Sequence, residues 1–154
     1  MIGIILVTHD DIGVELLKAV RKKLGPQAPV NAQAVSVRKD DSLETSFQQI
    51  SAAMKAVDQG NGVVALVDIQ GATPYNLMMQ ALPKDPDKAN FITGVNFPML
   101  LALATTPDTV GLRDAADAAE RAGRDNIGRA ADIALCSRRP GLAPRGESSP
   151  IPQN

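Results

Sequence analysis

Apolar residues in this chain fall into short β-branched runs separated by stretches with helical spacing. The run Ile2 to Val7, broken only by Gly3, reads as a parallel strand covered on both faces. After the polar segment Thr8 to Asp11, apolar residues recur at Ile12, Leu16, Leu17, Val20 and Leu24 and stop at Gly25-Pro26, which predicts a helix over 12 to 24. Residues 32 to 37 (AQAVSV) form a second apolar stretch. Asp40-Asp41-Ser42 can then cap a helix with the apolar face Leu43, Phe47, Ile50, Met54 and Val57, ending near Gly60. Val63 to Val67 is a third strand, closed by Asp68. A glycine-containing turn leads to a short helix from Pro74 to Leu82, with Pro74 in the first turn, where its missing NH is not needed. Phe91 to Thr93 reads as a fourth strand ended by Gly94, and Phe97 to Ala104 as a further helical turn or two. Two Ala-rich stretches follow, at 112 to 123 and about 127 to 136. The second reads as helix or as an edge strand, since Asp125-Asn126-Ile127-Gly128 is poor helix material.

Strands alternating with helices argue for an α/β domain in three layers, a mainly parallel four-stranded sheet with helices on both faces and right-handed crossovers. The domain is expected over residues 1 to 136. From Ser137 the composition changes, with four of the eleven prolines and two glycines in the last 18 residues, so 137 to 154 reads as a disordered tail or a tether. In open parallel sheets ligands gather at the carboxyl ends of the strands. The loops of interest are therefore Thr8 to Gly13, residues 38 to 41, Asp68 to Pro74 and Gly94 to Pro98.

Composition narrows the partners. In 154 residues, 16 basic and 17 acidic side chains leave a net charge of −1, and only 3% of residues are aromatic, with no Trp. There is neither the basic face on which nucleic-acid affinity depends nor a set of stacking platforms for bases. A single cysteine, Cys136, suits a reducing compartment and reads as inert. The first apolar run is too short for a signal or membrane segment, so a cytoplasmic protein without direct membrane insertion is expected.

The lone histidine, His9, follows the first strand at the ligand-bearing edge. A lone histidine is more often a surface or capping residue than a catalyst, but its neighbours change its meaning. Asp68 stands in the equivalent place after the third strand. If those strands are adjacent, its carboxylate can accept a hydrogen bond from one imidazole nitrogen and leave the other free as a nucleophile. Gly71-Ala72-Thr73-Pro74 adds backbone NH groups, a hydroxyl and the amino end of a helix, a favourable place for a phosphoryl group, although the glycine turn also serves as a simple tight connection. Neither a Walker A sequence nor GxGxxG occurs, which sets nucleotide binding aside.

The segments ILVTHDDIG (5 to 13), VDIQGATPYN (67 to 76) and GVNFPMLLAL (94 to 103) resemble the enzyme IIA domain of the mannose-type sugar phosphotransferase system, whose motifs read approximately THG, DxxGG(S/T)PxN and GVNxPML. The resemblance runs in order over about residues 1 to 136. It implies a cytoplasmic phosphocarrier that takes a phosphoryl group from the phosphohistidine of HPr and hands it to a IIB protein, without metal or cofactor. It implies that His9 is the phosphorylated nucleophile, that Asp68 orients it, and that Thr73 contacts the phosphoryl group, with Gly71 and Ala72 in the cradle. Asn96, Phe97 and Pro98 match the loop that borders the site. A homodimer is also implied, with an antiparallel edge strand near the C-terminal end exchanged between subunits, around Asn126 to Ala130.

The sequence departs from the family pattern at three places. Asp10 replaces the usual Gly after the histidine. It tolerates a left-handed backbone better than most residues, but it brings a negative charge towards the incoming group. Gln70 and Ala72 flank Gly71 where the family has other residues, which bears on the loop's shape, and the Pro-rich tail lies outside the family core. Two rival readings remain. One is a regulatory sensor of the same fold, read by its phosphorylation state without sugar transport. The other is a receiver domain phosphorylated on Asp68, with Asp10 and Asp11 as a magnesium pair; that scheme leaves GATPYN without a role and lacks a Lys after a fifth strand.

Overall fold

The computed structural model describes residues 1–129. The elements run β1 (Gly3–His9), α1 (Ile12–Leu24), β2 (Ala32–Val37), α2 (Leu43–Val57), β3 (Val63–Val67), α3 (Thr73–Ala81), β4 (Ala89–Thr93), α4 (Phe97–Ala104) and α5 (Leu112–Asp125). The four strands pair in the order β2-β1-β3-β4, all parallel. The expected adjacency of the first and third strands is therefore present, and every βα loop opens at one edge.

Alternation along the strands sorts the core into two layers. Ile4, Leu6, Val64 and Leu66 pack with Leu17 and Val20 of α1, Leu100 and Leu103 of α4 and the alanines of α5. Ile5, Val7, Val35, Val37, Ala65 and Val67 face Ile50 and Val57 of α2 and Leu77 and Met78 of α3. Small residues let α5 lie close: Ala115, Ala116, Ala119 and Gly123 are its buried positions.

Two details differ from the sequence expectation. Thr8 and His9 continue β1 rather than begin a loop, because the buried Thr8 hydroxyl accepts the Gly13 NH at 2.8 Å and its polarity is thereby satisfied. On α2 the buried face is Ser46, Ile50, Ala53, Met54 and Val57, while Leu43 stands out in solvent. Met54, Met78 and Met99 are buried, whereas Met79 is exposed on α3. Ser42 does cap α2, accepting the Thr45 NH at 3.0 Å.

Helix α5 ends at Asp125, and residues 127–129 form neither helix nor strand. The remainder of the expected edge strand, Cys136 and the 137 to 154 tail lie outside the described residues. No helix among the described residues is long and apolar enough to cross a membrane.

Candidate functional site

The ladder between β1 and β3 ends at the pair Val7 and Val67, two residues short of the histidine. On its other side His9 still pairs with Val37 of β2. Just past the last β3 rung, the Asp68 side chain takes over as acceptor: its Oδ2 receives the His9 backbone NH at 2.9 Å and lies 2.8 Å from His9 Nδ1. The other carboxylate oxygen, Oδ1, accepts the Ile69 NH at 2.9 Å. Asp68 is thus held at both oxygens, with its side chain 9% exposed, whereas the His9 side chain is 38% exposed. Burial pushes the Asp68 carboxyl up, but the His9 backbone NH, the His9 ring and its charge, and the Ile69 NH together outweigh burial and hold it below the usual carboxylate range.

An ionised carboxylate can only accept, so the proton of this contact belongs to Nδ1. In the neutral ring Nε2 then carries the free lone pair. Strand alternation extends the face of Ile5 and Val7 to His9, which sets the ring on the side of α2 and α3.

Helix α3 begins beside this edge with Ala72 as N-cap and no side-chain cap, in contrast to α2, capped by Ser42, and α4, capped by Asn96. Its first-turn NH groups are therefore not taken up by a capping side chain, and Thr73, the first helical residue, is exposed beside them. Gly71 has φ 80, a left-handed value that suits glycine, while Ala72 has φ −83. The alanine that replaces the family's second glycine therefore sits without backbone strain. Asp10 has φ 45, the sole positive φ at a non-glycine residue among the described residues, so the departure that most alters the charge of the loop also adopts the backbone expected of the glycine it replaces.

Asn96, Phe97 and Pro98 lie at the same sheet edge, where the turn after β4 runs into α4, held there by the Val95 NH bonding to the Val67 carbonyl at 2.9 Å. The Asn96 side chain accepts the Met99 NH at 3.1 Å, Phe97 packs on the core beneath, and Pro98 occupies the first turn of α4. Their visible work is to start α4. Asn96 also lines a groove of about 560 Å³ along the outer edge of β4 with Tyr75, Phe91, Glu120 and Ile127; His9 is not part of that groove.

Two features at this edge escaped the sequence reading. Thr8 anchors the start of α1, and only its position at the end of an apolar run hinted that it belonged to the strand. Arg38 donates to Asp11 Oδ1 at 2.7 Å, and the Ser36 hydroxyl donates to the same oxygen at 3.0 Å, tying the loops after β1 and β2 together. This network engages the Asp11 carboxylate with Arg38 and Ser36. No cluster of three or more His, Cys, Asp or Glu side chains suited to a metal occurs among the described residues. The half-buried Asp68, with both carboxylate oxygens engaged in hydrogen bonds, differs from the open carboxylate that a phosphorylated aspartate needs.

Residues 3–120 match the family described as PTS system fructose IIA component. The PTS system fructose-specific EIIA component of Bacillus subtilis is 29% identical over 114 residues, covering 74% of this chain and 76% of the relative. The PTS system mannose-specific EIIAB component of Escherichia coli is 28% identical over 127 residues, 82% of this chain but only 38% of that longer protein. Among solved structures, the mannose/sorbose specific IIA subunit of the phosphotransferase system from Enterococcus faecalis superposes with a TM-score of 0.72 at 24% identity, covering 92% of this chain and 98% of that one. The chain belongs to the PTS system fructose IIA component family, the mannose-type IIA components of the phosphotransferase system.

Proposed function

We propose that this protein is a cytoplasmic phosphocarrier of a mannose-type sugar phosphotransferase system, accepting a phosphoryl group from phospho-HPr on His9 and passing it to a IIB component. The observation that carries the reading is the 2.8 Å contact between His9 Nδ1 and a shielded Asp68, which leaves Nε2 free on a ring that is 38% exposed. In the forward step the Nε2 lone pair attacks phosphorus and a new P–N bond forms. The donor's P–N bond breaks, and the donor imidazole leaves with that electron pair. The His9 ring gains positive character with Nδ1 still protonated, and Asp68 balances that charge from behind. Transfer to IIB is the same displacement in reverse.

Catalysis here is positioning and charge stabilisation. The uncapped start of α3 with Gly71, Ala72 and Thr73 supplies NH and hydroxyl donors for the phosphoryl oxygens. The homodimer forms part of the same proposal: β4 pairs only with β3 among the described strands, and the groove along its outer edge offers room for a strand from a second copy. Incubation with phosphoenolpyruvate, enzyme I and HPr tests the reading. The expected product is a phosphorylated chain that is stable in alkali, labile in acid and chased off by IIB. A hydroxylamine-sensitive acyl phosphate would replace this proposal with the receiver reading.

A further inference from the structure

Every asparagine among the described residues but one has its side-chain amide tied down. Asn31 donates to the Val57 carbonyl at 2.7 Å, Asn76 to the Gly71 carbonyl at 3.4 Å and Asn126 to the Ala122 carbonyl at 2.9 Å. Asn90 accepts the Phe91 NH and Asn96 the Met99 NH, each at 3.1 Å. The exception is Asn61, exposed in the turn between α2 and β3, whose side chain makes no hydrogen bond to a described residue. It is also the only asparagine in the sequence that is followed by glycine.

The backbone of the turn has the same freedom. Gly60 and Gly62, on either side of Asn61, have φ 92 and φ 79, and the Gly60 NH closes onto Asp58 Oδ1 at 2.9 Å. The Gly62 NH donates no hydrogen bond among the described residues, so its nitrogen is neither held in the ladder of β3 nor shielded by a Cβ. Asparagine is a thermolabile residue, and what protects it in a fold is restraint of its carboxamide and of the next peptide nitrogen. Both restraints are missing at this one position.

We infer that Asn61 is a site of spontaneous deamidation and isoaspartate formation, a covalent weak point at the foot of β3. The Gly62 nitrogen attacks the Asn61 side-chain carbonyl carbon, and the new C–N bond closes a five-membered succinimide. The amide proton passes to water, and the side-chain nitrogen leaves as ammonia. Water then opens the ring. Attack at the side-chain carbonyl leaves the backbone as it was, with an aspartyl residue; attack at the main-chain carbonyl routes the backbone through the side chain, as an isoaspartyl residue one methylene longer. The corner that must take up this methylene has no slack. The Gly62 carbonyl accepts the Gly3 NH at 2.9 Å, and a Cβ placed on Gly62 would come within 2.8 Å of Leu112 and 3.1 Å of the Lys88 carbonyl oxygen. Gly62 thus joins the feet of β1 and β3 to the starts of α5 and β4. His9 and Asp68 stand at the opposite ends of these strands, so the damage falls on stability rather than on their contact.

The test is to age the full chain at mildly alkaline pH and map its peptides by mass spectrometry over time, with Asn61→Gln, whose longer side chain must close a less favourable six-membered ring, as the control. The expected result is the mass gain of an amide turned to an acid at residue 61 before any other asparagine, faster as pH rises. Methyl labelling by an isoaspartate-specific, S-adenosylmethionine-dependent methyltransferase should grow with it and be lost in Asn61→Gln. The thermal midpoint of the aged parent should fall by a few degrees while that of aged Asn61→Gln holds. A residue 61 still unmodified after other asparagines have converted overturns the inference, as does methyl labelling that Asn61→Gln leaves undiminished. An aged chain with isoaspartate at 61 and an unshifted midpoint overturns the weak point at the foot of β3.

Discussion

One oxygen of Asp68, Oδ2, holds both the backbone and the ring of His9, at 2.9 Å to the amide nitrogen and 2.8 Å to Nδ1. A single carboxylate thus sets where the histidine begins and which way its ring turns. The first bond replaces the ladder partner that β3 no longer supplies beyond Val67, and the second fixes the tautomer. Removing the carboxylate should therefore affect the histidine's chemistry more than the fold around it.

For Asp68→Ala, the loss of a charge-assisted hydrogen bond worth about 1.5–3 kcal/mol slows phosphoryl transfer to His9 by roughly ten- to a hundredfold. Rapid-quench measurement of transfer from phospho-HPr reads this directly. A rate equal to that of the unsubstituted protein would show that Asp68 does not orient the ring.

The depressed pKa of Asp68 ties it to stability as well. A carboxyl whose folded value lies below its unfolded one stabilises the fold above the unfolded value, about 3.9 for Asp, and that contribution fades as pH falls through the folded value. Urea unfolding of the parent and of Asp68→Asn should therefore show a stability gap at neutral pH that narrows only in acid. A gap that widened on acidification would contradict the sign of the shift.

Backbone conformation separates two neighbouring positions. Gly71→Ala forces a side chain into φ 80 and should cost about 1–2 kcal/mol, seen as a lower thermal midpoint. Ala72→Gly, at φ −83, should move the midpoint by less than half as much, through chain entropy alone.

Asp10→Gly restores the family's residue at φ 45 and removes an exposed carboxylate next to His9. In a largely aqueous setting one such charge a few ångströms away is worth about 0.5–1 kcal/mol, so transfer to His9 should quicken a few-fold at low salt. The gain should shrink as ionic strength rises.

How much of this was legible in the sequence depended on what each feature obeys. The bounds of α1, β2, β3 and α4 follow from apolar runs and their punctuation, and the structure reproduces them. Thr8 was misread because a buried hydroxyl looks like a loop residue until its donor, the Gly13 NH, is located. Leu43 was misplaced because helical spacing identifies a stripe without saying whether its first turn reaches the core; Ser46 is buried instead. The pairing of His9 with Asp68 needs the strand order, which local periodicity does not contain. Motif resemblance singled out both residues, and the parallel pairing of β1 with β3 gives the physical reason they meet. The link between Arg38 and Asp11 joins loops 27 residues apart and had no sequence signature.

The most direct measurement is mass-spectrometric mapping, at neutral to alkaline pH, of the chain phosphorylated by phosphoenolpyruvate, enzyme I and HPr. The expected result is one phosphoryl group on His9 Nε2, absent from His9→Ala. A phosphoryl group on Asp68 or on any other side chain, or undiminished labelling of His9→Ala, would contradict the account.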